Sequence, residues 1–269
     1  MLSTLINGSL LDDASHALSV FDRGLHYGDG LFETMLFKSG QVRFLAAHLK
    51  RLQLGCERLK VPAPTEEVLR ADLAAVTGKH EQGIVKLIVT RGTGARGYRP
   101  DPRQSPTRIV LLYPPPEITH EIAVRWCTTR LARNPPLAGI KHLNRLEQVL
   151  AQAEWGDATI AEGLMLDTEG EVISGTASNV FIVSDGVLAT PDLRFSGVRG
   201  IMRDWVLATA RDWGLEVNEG ALRVDEVRNA SEIFLTNAVR GIRPVTSLEG
   251  EQWPVGSVAL RLIEALGSI

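Results

Sequence analysis

The sequence predicts an α/β protein of the α+β type, with two domains built on mixed, largely antiparallel sheets and flanking helices. Its 269 residues, 44% of them hydrophobic and 23% charged, suffice for one large domain or two ordinary ones. Predicted strands and helices follow one another without a regular βαβ alternation. The segment YPPPE at 113–117 is too stiff to continue a strand or a helix. We therefore expect a smaller N-terminal domain at 1–113, a linker at 114–120 and a larger C-terminal domain at 121–269.

The first half contains hairpins and two amphipathic helices. Asn7-Gly8 in LINGSLL suits a two-residue turn with positive φ, and GLFETMLFKSGQVRF predicts a strand, a glycine turn and a second strand. Residues 44–59 carry apolar side chains at helical spacing. TEEVLRADLAAVTG predicts a further helix, with Thr65 as its N-cap and Gly78 as its end. GIVKLIVT and TRIVLLY then predict two strands.

The second half begins with a strand at EIAVRWC and a helix at AGIKHLNRLEQVL, with Lys141 at the junction where that helix begins. A run of short strands follows, with turns at Glu169-Gly170 and Asp185-Gly186. RGIMRDWVLATARDWG predicts a helix that ends at Gly214. SEIFLTNAV predicts a strand, and SVALRLIEALG predicts a terminal helix.

Composition excludes several classes of protein. The net charge is −3, the calculated pI is about 6.1 and no basic block occurs, which disfavours binding to nucleic acid or to an anionic membrane. Apolar runs are short and the N-terminus lacks the features of a signal peptide, so we expect a cytoplasmic protein that does not cross a membrane. Two distant cysteines, Cys56 and Cys127, exclude a disulfide framework and favour buried reduced thiols. The histidines lack metal-binding spacing, so no metal site is expected.

The segment GTGARG, Gly92 to Gly97, matches the G-x-G-x-x-G pattern of dinucleotide-binding turns. That site requires a following helix whose N-terminus holds the pyrophosphate. YRPDPRQSP follows instead, and it is too rich in proline for a helix. Two interpretations stay open: a loop whose Arg91, Arg96 and Arg99 bind a carboxylated substrate, or a solvated basic turn.

Lys141 stands out among the lysines. A helix N-terminus disfavours a cation, and its neighbours Leu137, Ala138, Gly139 and Ile140 are small or apolar. Both effects would lower the pKa of the ammonium group, as a lysine that forms a Schiff base requires. The alternative is an ordinary surface lysine near a helix start.

Several motifs in order along nearly the whole chain resemble the pyridoxal-phosphate fold type IV family. These are LINGSL, SVFDRGLHYGDGLFET, LAAHLKRL, VTRGTGARGY, SNVF and GVRGIMR. The family includes branched-chain and D-amino-acid aminotransferases and the aminodeoxychorismate lyases. RNPPLAGIKHLNRLEQVLAQAE resembles the catalytic-lysine segment of the lyase branch. The resemblance implies a two-domain fold type IV enzyme with pyridoxal 5'-phosphate as cofactor in its C-terminal domain.

The resemblance also implies roles for particular residues. Lys141 matches the lysine that binds the cofactor covalently and moves the proton. The other implied cofactor-binding residues are Arg51, Ser174, Gly200, Ile201, Met202, Thr236 and Asn237, of which Arg51, the 200–202 helix start and the 236–237 turn would hold the phosphate. The implied substrate-binding residues are His26, Phe32, Arg91, Arg96 and Tyr98.

Ser174 and Met202 depart from the family pattern. The family usually has a glutamate at the Ser174 position, salt-bridged to the pyridine nitrogen, and often a threonine at the Met202 position. A serine stabilises a protonated pyridine less well than a carboxylate does. Either a nearby acid such as Glu171 substitutes, or the reaction tolerates a poorer electron sink. The second option suits a lyase, because loss of pyruvate makes the substrate ring aromatic.

The resemblance implies that the protein converts 4-amino-4-deoxychorismate to 4-aminobenzoate and pyruvate in folate biosynthesis, as a cytoplasmic homodimer. The nearest rival is an aminotransferase of the same fold that acts on D-amino or branched-chain amino acids. A rival from another class is a protein that binds pyridoxal phosphate without turnover. A plain interaction domain would bind no cofactor.

Overall fold

The computed structural model describes residues 2–12, 18–115, 117, 119 and 121–267. The chain forms two compact units, Met1–Pro116 with Ile140–Asn144, and Glu117–Gly139 with Arg145–Ile269. The domain bounds drawn from the sequence stay a prediction, and they do not anticipate that Ile140–Asn144 belongs to the first unit. Within the predicted linker, residues 116, 118 and 120 lie outside the described residues.

The first unit contains six strands and three helices among its described residues. In chain order these are β1 (Ser3–Ile6), β2 (Ser9–Leu10), α1 (Arg23–Tyr27), β3 (Gly30–Lys38), β4 (Gln41–Val42), α2 (Leu45–Leu59), α3 (Glu66–Thr77), β5 (Gln82–Thr90) and β6 (Thr107–Tyr113). The strands form one antiparallel sheet in the order β2-β1-β6-β5-β3-β4. Helix α2 packs against β3, and α3 packs against β1 and β6.

Local sequence explains most of these elements. Asn7 and Gly8 both have positive φ, so the first hairpin turns where the sequence predicts it. The Thr65 side chain accepts a hydrogen bond from Val68 N–H at 3.4 Å, which confirms the predicted N-cap of α3, and Gly78 follows its last residue. Along β3 and β5 buried residues alternate with half-buried ones, because successive side chains point to opposite faces of a sheet.

The second unit contains nine strands and four helices among its described residues. In chain order these are β7 (Ile122–Trp126), α4 (Leu146–Gln152), β8 (Ile160–Leu166), β9 (Val172–Gly175), β10 (Asn179–Ser184), β11 (Val187–Pro191), α5 (Ile201–Asp212), β12 (Val217–Gly220), α6 (Val224–Arg228), β13 (Glu232–Asn237), β14 (Gly241–Leu248), β15 (Glu251–Gln252) and α7 (Ser257–Gly267). Their sheet has the order β12-β11-β10-β13-β14-β7-β8-β9, with β15 beside β14. Three strand pairs are parallel, β7–β14, β7–β8 and β11–β12, which confirms the predicted mixed and largely antiparallel sheets.

The core of this unit lies along central strands that are buried without interruption, because both of their faces are covered. Apolar residues of β7, β8, β10, β13 and β14 form one cluster, and a smaller cluster around Met165 and Ile173 lies under α4. Helix α5 packs against β12 and β13, and α7 against β13 and β14. No helix in the described part of the chain is long and apolar enough to cross a membrane.

The predicted helix around Lys141 is wrong in its start. Helix α4 begins at Leu146, five residues later. Phe32 N–H donates to Lys141 O and Leu143 N–H donates to Gly30 O, both at 2.9 Å. These bonds to the start of β3 keep residues 141–143 extended, because the backbone groups that a helix would use are already paired with the strand.

We expect Thr65→Ala to lower the free energy of unfolding by about 1 kcal/mol, because the Val68 amide loses its side-chain acceptor. Thr65→Ser keeps the hydroxyl and is the matched control. Urea denaturation followed by circular dichroism measures both variants. Equal midpoints for the alanine and serine variants would contradict the capping role.

Candidate active site

Lys141 lies beside an aromatic side chain of the first unit. Its ammonium nitrogen is 4.3 Å from the centroid of the Phe32 ring, a cation–π distance. The backbone pairing with β3 fixes the Cα position of the lysine relative to that ring. Since no helix starts at Lys141, the expectation that a helix N-terminus disfavours its charge is wrong. What distinguishes the lysine is its backbone pairing with the start of β3, where Phe32 lies next to it.

Arg51 is oriented by a buried carboxylate. Its Nε donates to Glu33 Oε1 at 2.8 Å, and its Nη2 donates to Glu33 Oε2. His48 Nδ1 lies 2.6 Å from the same carboxylate, and both Glu33 and His48 are almost completely buried. His48 and Arg51 face Glu33 together because residues three apart share one side of a helix. The two hydrogen bonds to Glu33 fix the orientation of the Arg51 guanidinium, and an arginine that binds an anion needs a fixed orientation.

The environment of Glu33 decides its charge. Burial alone would raise the pKa of this carboxyl, but the charge of Arg51 and the hydrogen bonds from His48 and Arg51 together lower the pKa from 4.5 to about 2. Glu33 is therefore a carboxylate at neutral pH.

Arg91 has a structural role in the first unit. Its Nε and Nη2 donate to the Asp29 carboxylate at 2.7 and 3.0 Å, and its remaining donors bind the carbonyls of Leu59 and Lys60. Burial alone would raise the pKa of Asp29, but hydrogen bonds from Arg91 and Arg23 lower it below its usual value. This buried and fully engaged guanidinium argues against the substrate-binding role that the resemblance implied for Arg91.

The loop after β5 presents Arg96 and Tyr98 at the surface. The guanidinium of Arg23 donates to the carbonyls of Gly97 and Tyr98 at 2.8 and 3.1 Å. These two bonds fix the backbone of the loop, whose Arg96 and Tyr98 side chains are exposed. The Tyr98 ring meets the Tyr27 ring edge-on at 5.4 Å. The arrangement is an ordered loop, and it leaves Arg96 accessible to an anion.

His26 lies in α1 near this loop, at an exposed position. Its Nε2 is 2.7 Å from Val20 O. Its ring meets the Tyr27 ring edge-on at 5.7 Å. The histidine is thus part of the same surface layer as the loop.

The second unit contains a helix start without a side-chain cap. Gly200 is the N-cap of α5 and makes no side-chain cap bond, so Ile201 and Met202 open the helix with backbone amides that no cap satisfies. A Cβ on Gly200 would lie 2.0 Å from Asn179 Oδ1, so only glycine fits there. The Met202 side chain is fully buried, so this residue can contribute only its backbone to a ligand.

Thr236 lies next to this helix start. It pairs with Asn179 across β10 and β13, and Asn179 Nδ2 donates to Val198 O at 2.8 Å in the loop before α5. The Thr236 hydroxyl is buried and has no hydrogen-bond partner among the described residues. Asn237 turns the chain, because its Oδ1 accepts from Val239 and Arg240 N–H at 3.1 and 2.7 Å. An unpartnered hydroxyl beside an uncapped helix start is a suitable site for a phosphate group.

Ser174 is 8% exposed in β9, and the acid beside this strand is Glu162. A Cβ added at Gly175 would meet Glu162 Oε1 at 2.4 Å. The Glu162 carboxylate accepts from Ala177 N–H at 2.8 Å, from the Ser178 hydroxyl and from buried Arg243. Glu171 instead lies in the hairpin turn, where its N–H donates to Asp167 Oδ1 at 3.0 Å. The ion pair of Glu162 with Arg243 therefore lies beside Gly175, on the face of β9 opposite to the one that Ser174 occupies.

Sequence reasoning missed four charged or polar residues, Glu33, His48, Glu162 and Arg243. Each lies at a buried position of an otherwise apolar strand or amphipathic helix. Charged residues are rarely buried unless they are paired, so a charged residue at a predicted core position indicates a buried ion pair or hydrogen bond. What the sequence could not provide was the identity of each partner.

Comparison with known proteins places these observations in a family. A family profile described as amino-transferase class IV matches residues 30–248. A putative branched-chain-amino-acid aminotransferase of Methanocaldococcus jannaschii is 34% identical and covers 98% of this chain and 95% of its own. Aminodeoxychorismate lyase of Vibrio harveyi is 33% identical over 90% of this chain and 92% of its own.

Among solved structures, 4-amino-4-deoxychorismate lyase from Pseudomonas aeruginosa superposes with a TM-score of 0.93. Its sequence identity is 44%, and the match covers 98% of both chains. The similarity therefore extends over both units, including the segment around Lys141.

Glu33→Gln should destabilise the first unit. It leaves Arg51 without its carboxylate, and breaking a buried pair costs about 3–5 kcal/mol. The control Glu66→Gln breaks the exposed pair with Arg70, 2.7 Å long, and should cost about 0.3–0.5 kcal/mol. Urea midpoints at neutral pH measure both.

The destabilisation by Glu33→Gln should also depend on pH. Because folding lowers the pKa of Glu33 from 4.5 to about 2, its stabilisation is complete above pH 4.5 and is lost as the pH falls toward 2. The gap between wild-type and Glu33→Gln midpoints should shrink across that window. A constant gap would argue against the ion pair.

Proposed function

The chain belongs to the class IV aminotransferase family, and from that premise we propose that it is a 4-amino-4-deoxychorismate lyase dependent on pyridoxal 5'-phosphate. The resemblance to fold type IV drawn from the motifs is confirmed. The observation that carries the choice of lyase is the 44% identity, over 98% of both chains, with a structure named as that enzyme. The product 4-aminobenzoate assigns the protein to folate biosynthesis.

The residues present fit the cofactor, which this family uses. Lys141 supplies the amine for its aldehyde. In the second unit, the Thr236 hydroxyl and the uncapped start of α5 are groups suited to a phosphate. Arg51 of the first unit, in the direction set by Glu33, is the phosphate-binding arginine that the family resemblance implies. Asn237 shapes the turn beside Thr236, and Ser174 is the residue proposed to face the pyridine nitrogen.

The chemistry needs one group that moves a proton. When bound, pyridoxal phosphate withdraws electrons from the carbon that carries the substrate amine. Lys141 Nζ then removes the proton from C4 as a general base. The C3–O bond breaks, the ring becomes aromatic, and the departing enolate takes up a proton at carbon to become pyruvate. Phe32, beside Lys141, limits the positions that this amine can take.

The departure at Ser174 is consistent with this reaction. Aromatisation of the ring supplies a driving force that transfer of an amino group lacks, so a strong electron sink is less needed. The ion-paired Glu162 behind β9 adds little negative charge, because Arg243 neutralises it. Arg96, with Tyr98 and His26 in the same layer, is proposed to orient a carboxylate of the substrate.

We also propose a homodimer. Helix α4 exposes an apolar stripe, with Leu146, Val149 and Leu150 being 76%, 59% and 61% accessible. An exposed stripe of this kind marks an interaction surface, and its proposed occupant is a second copy of the chain. The two cysteines are buried free thiols, which agrees with a reducing cytoplasm.

We expect purified protein to release equal amounts of 4-aminobenzoate and pyruvate from 4-amino-4-deoxychorismate without any 2-oxo acid. Lys141→Ala should lose essentially all turnover but keep its circular dichroism, because the fold does not depend on the ammonium group. Lys79→Ala, at an exposed lysine of the same unit, is the control. Turnover that requires a 2-oxo acid would instead identify an aminotransferase, and full activity of Lys141→Ala would remove its assigned role.

Replacing Leu150 with Glu should convert the dimer to monomer in sedimentation velocity, because a charge in an apolar interface is left without a partner. Leu54→Glu, at a leucine of α2 that is 51% exposed, should leave the mass unchanged. A wild-type protein that sediments as a monomer would refute the homodimer.

A further inference from the structure

Arg23 is a buried cation next to the loop that carries Arg96. It is 4% exposed, and its guanidinium donates to three different residues. Nε donates to Asp29 Oδ2 at 2.8 Å, Nη1 to Gly97 O at 2.8 Å and Nη2 to Tyr98 O at 3.1 Å. One planar group therefore fixes two successive peptide carbonyls, which a lysine with its single nitrogen cannot do in the same geometry.

Tyr27, in the same short helix as Arg23, holds this part of the loop as well. Its ring centroid is 4.7 Å from the guanidinium carbon of Arg23, and its hydroxyl accepts from Gly97 N–H at 3.1 Å. Both backbone groups of Gly97 are thus bonded to side chains of α1. Gly97 has a φ of 106°, so the chain makes a fixed turn directly after Arg96.

The contacts of Arg23 connect the loop to a long helix. Asp29, which accepts from Arg23, also accepts from Nε and Nη2 of Arg91 at 2.7 and 3.0 Å. Arg91 in turn donates to the carbonyls of Leu59 and Lys60, at the end of α2, at 2.8 and 2.6 Å. The backbone after Arg96 is therefore held through a continuous set of hydrogen bonds to a helix that packs against β3.

The side chain of Arg96 is exposed while the backbone that follows it is held in place. It forms no ion pair or hydrogen bond with a described residue. When a mobile loop binds a ligand, the loss of conformational freedom weakens the binding, and a loop that is ordered beforehand avoids this loss. The contacts of Arg23 and Tyr27 thus favour the binding of an anion at Arg96.

We propose that Arg23 is a positioning residue that holds the loop in the conformation in which Arg96 binds a carboxylate of the substrate. This inference rests on the proposed lyase reaction and on the role proposed there for Arg96. All three nitrogens of Arg23 donate within the protein, so its effect on the substrate passes through the loop. Replacement of Arg23 should therefore weaken binding only while Arg96 is present.

A double-mutant cycle tests whether Arg23 acts through Arg96. The ligand is chorismate, which has a hydroxyl in place of the amine and so binds without reacting with the cofactor aldehyde. Its Kd for the holoenzyme is measured by calorimetry in wild type, Arg23→Lys, Arg96→Gln and the double variant. Arg23→Lys keeps the charge beside Asp29 but loses the paired carbonyl contacts, and it should weaken binding about 2- to 10-fold.

The second half of the cycle gives the coupling. Arg96→Gln should weaken binding about 10- to 100-fold, because a charge-assisted hydrogen bond is lost. Adding Arg23→Lys to Arg96→Gln should then have no further effect, since residues of one network are not additive.

Two further readouts separate positioning from folding. Peptides that cover residues 93–99 should exchange amide hydrogens faster in Arg23→Lys, and the Kd for pyridoxal phosphate should not change. Arg103→Lys is the matched control, because it removes an exposed guanidinium of the same loop whose partner is Asp101, at 2.8 Å. If Arg23→Lys fails to fold, Tyr27→Phe, which removes the acceptor of Gly97 N–H, replaces it in the cycle.

The outcomes distinguish this inference from the lyase assignment. If Arg23→Lys weakens binding equally with and without Arg96, the positioning role is wrong, and the lyase stands where wild type releases both products. If the cycle shows coupling but wild type releases no product, the positioning role stands and the lyase fails. If Arg96→Gln binds chorismate as tightly as wild type, or wild type does not bind it, the inference is wrong.

Discussion

Two backbone hydrogen bonds determine where Lys141, the amine proposed to react, lies in the first unit. Phe32 N–H to Lys141 O and Leu143 N–H to Gly30 O attach a five-residue segment of the later chain to the start of β3. Without them Ile140–Asn144 would be part of the second unit by sequence continuity. With them, Lys141 lies beside Phe32 near the start of β3.

The two faces of strand β3 carry side chains with different roles. Its buried face carries Glu33, which sets the direction of Arg51 from beneath. Its other face carries Phe32, which lies beside Lys141. Alternation along one strand thus separates the carboxylate that orients Arg51 from the aromatic ring next to the proposed reactive amine. The low pKa of Glu33 keeps the orienting charge in place at neutral pH.

The second unit supplies anion-binding groups that carry no net charge. Backbone amides at the start of α5 and the hydroxyl of Thr236 are its proposed contributions to the phosphate site. Asn179 connects the two, since it pairs with Thr236 and donates to Val198 before the helix. Glu162, beside Gly175 of β9, is paired with Arg243, so this buried carboxylate is matched in charge.

Local rules accounted for much of the fold. The turns at Asn7-Gly8 and Asp185-Gly186, the helix cap at Thr65 and the mixed character of the sheets follow from residue preferences over a few positions. The extended course at Lys141 did not, because a helical pattern of leucines was overridden by hydrogen bonds to a distant strand. Two leucines of the predicted helix, Leu146 and Leu150, lie on α4 and are exposed.

The sequence by itself determined which residue types are available: one distinctive lysine with small and apolar neighbours, an arginine in a helix, and a serine where the family has a glutamate. Only the tertiary structure decided their partners. It paired Arg51 with Glu33 and Arg91 with Asp29, and it brought Lys141 next to Phe32. The reason is physical: the charge and hydrogen bonding of a side chain depend on atoms that are close in space, and these atoms lie tens of residues apart in the chain.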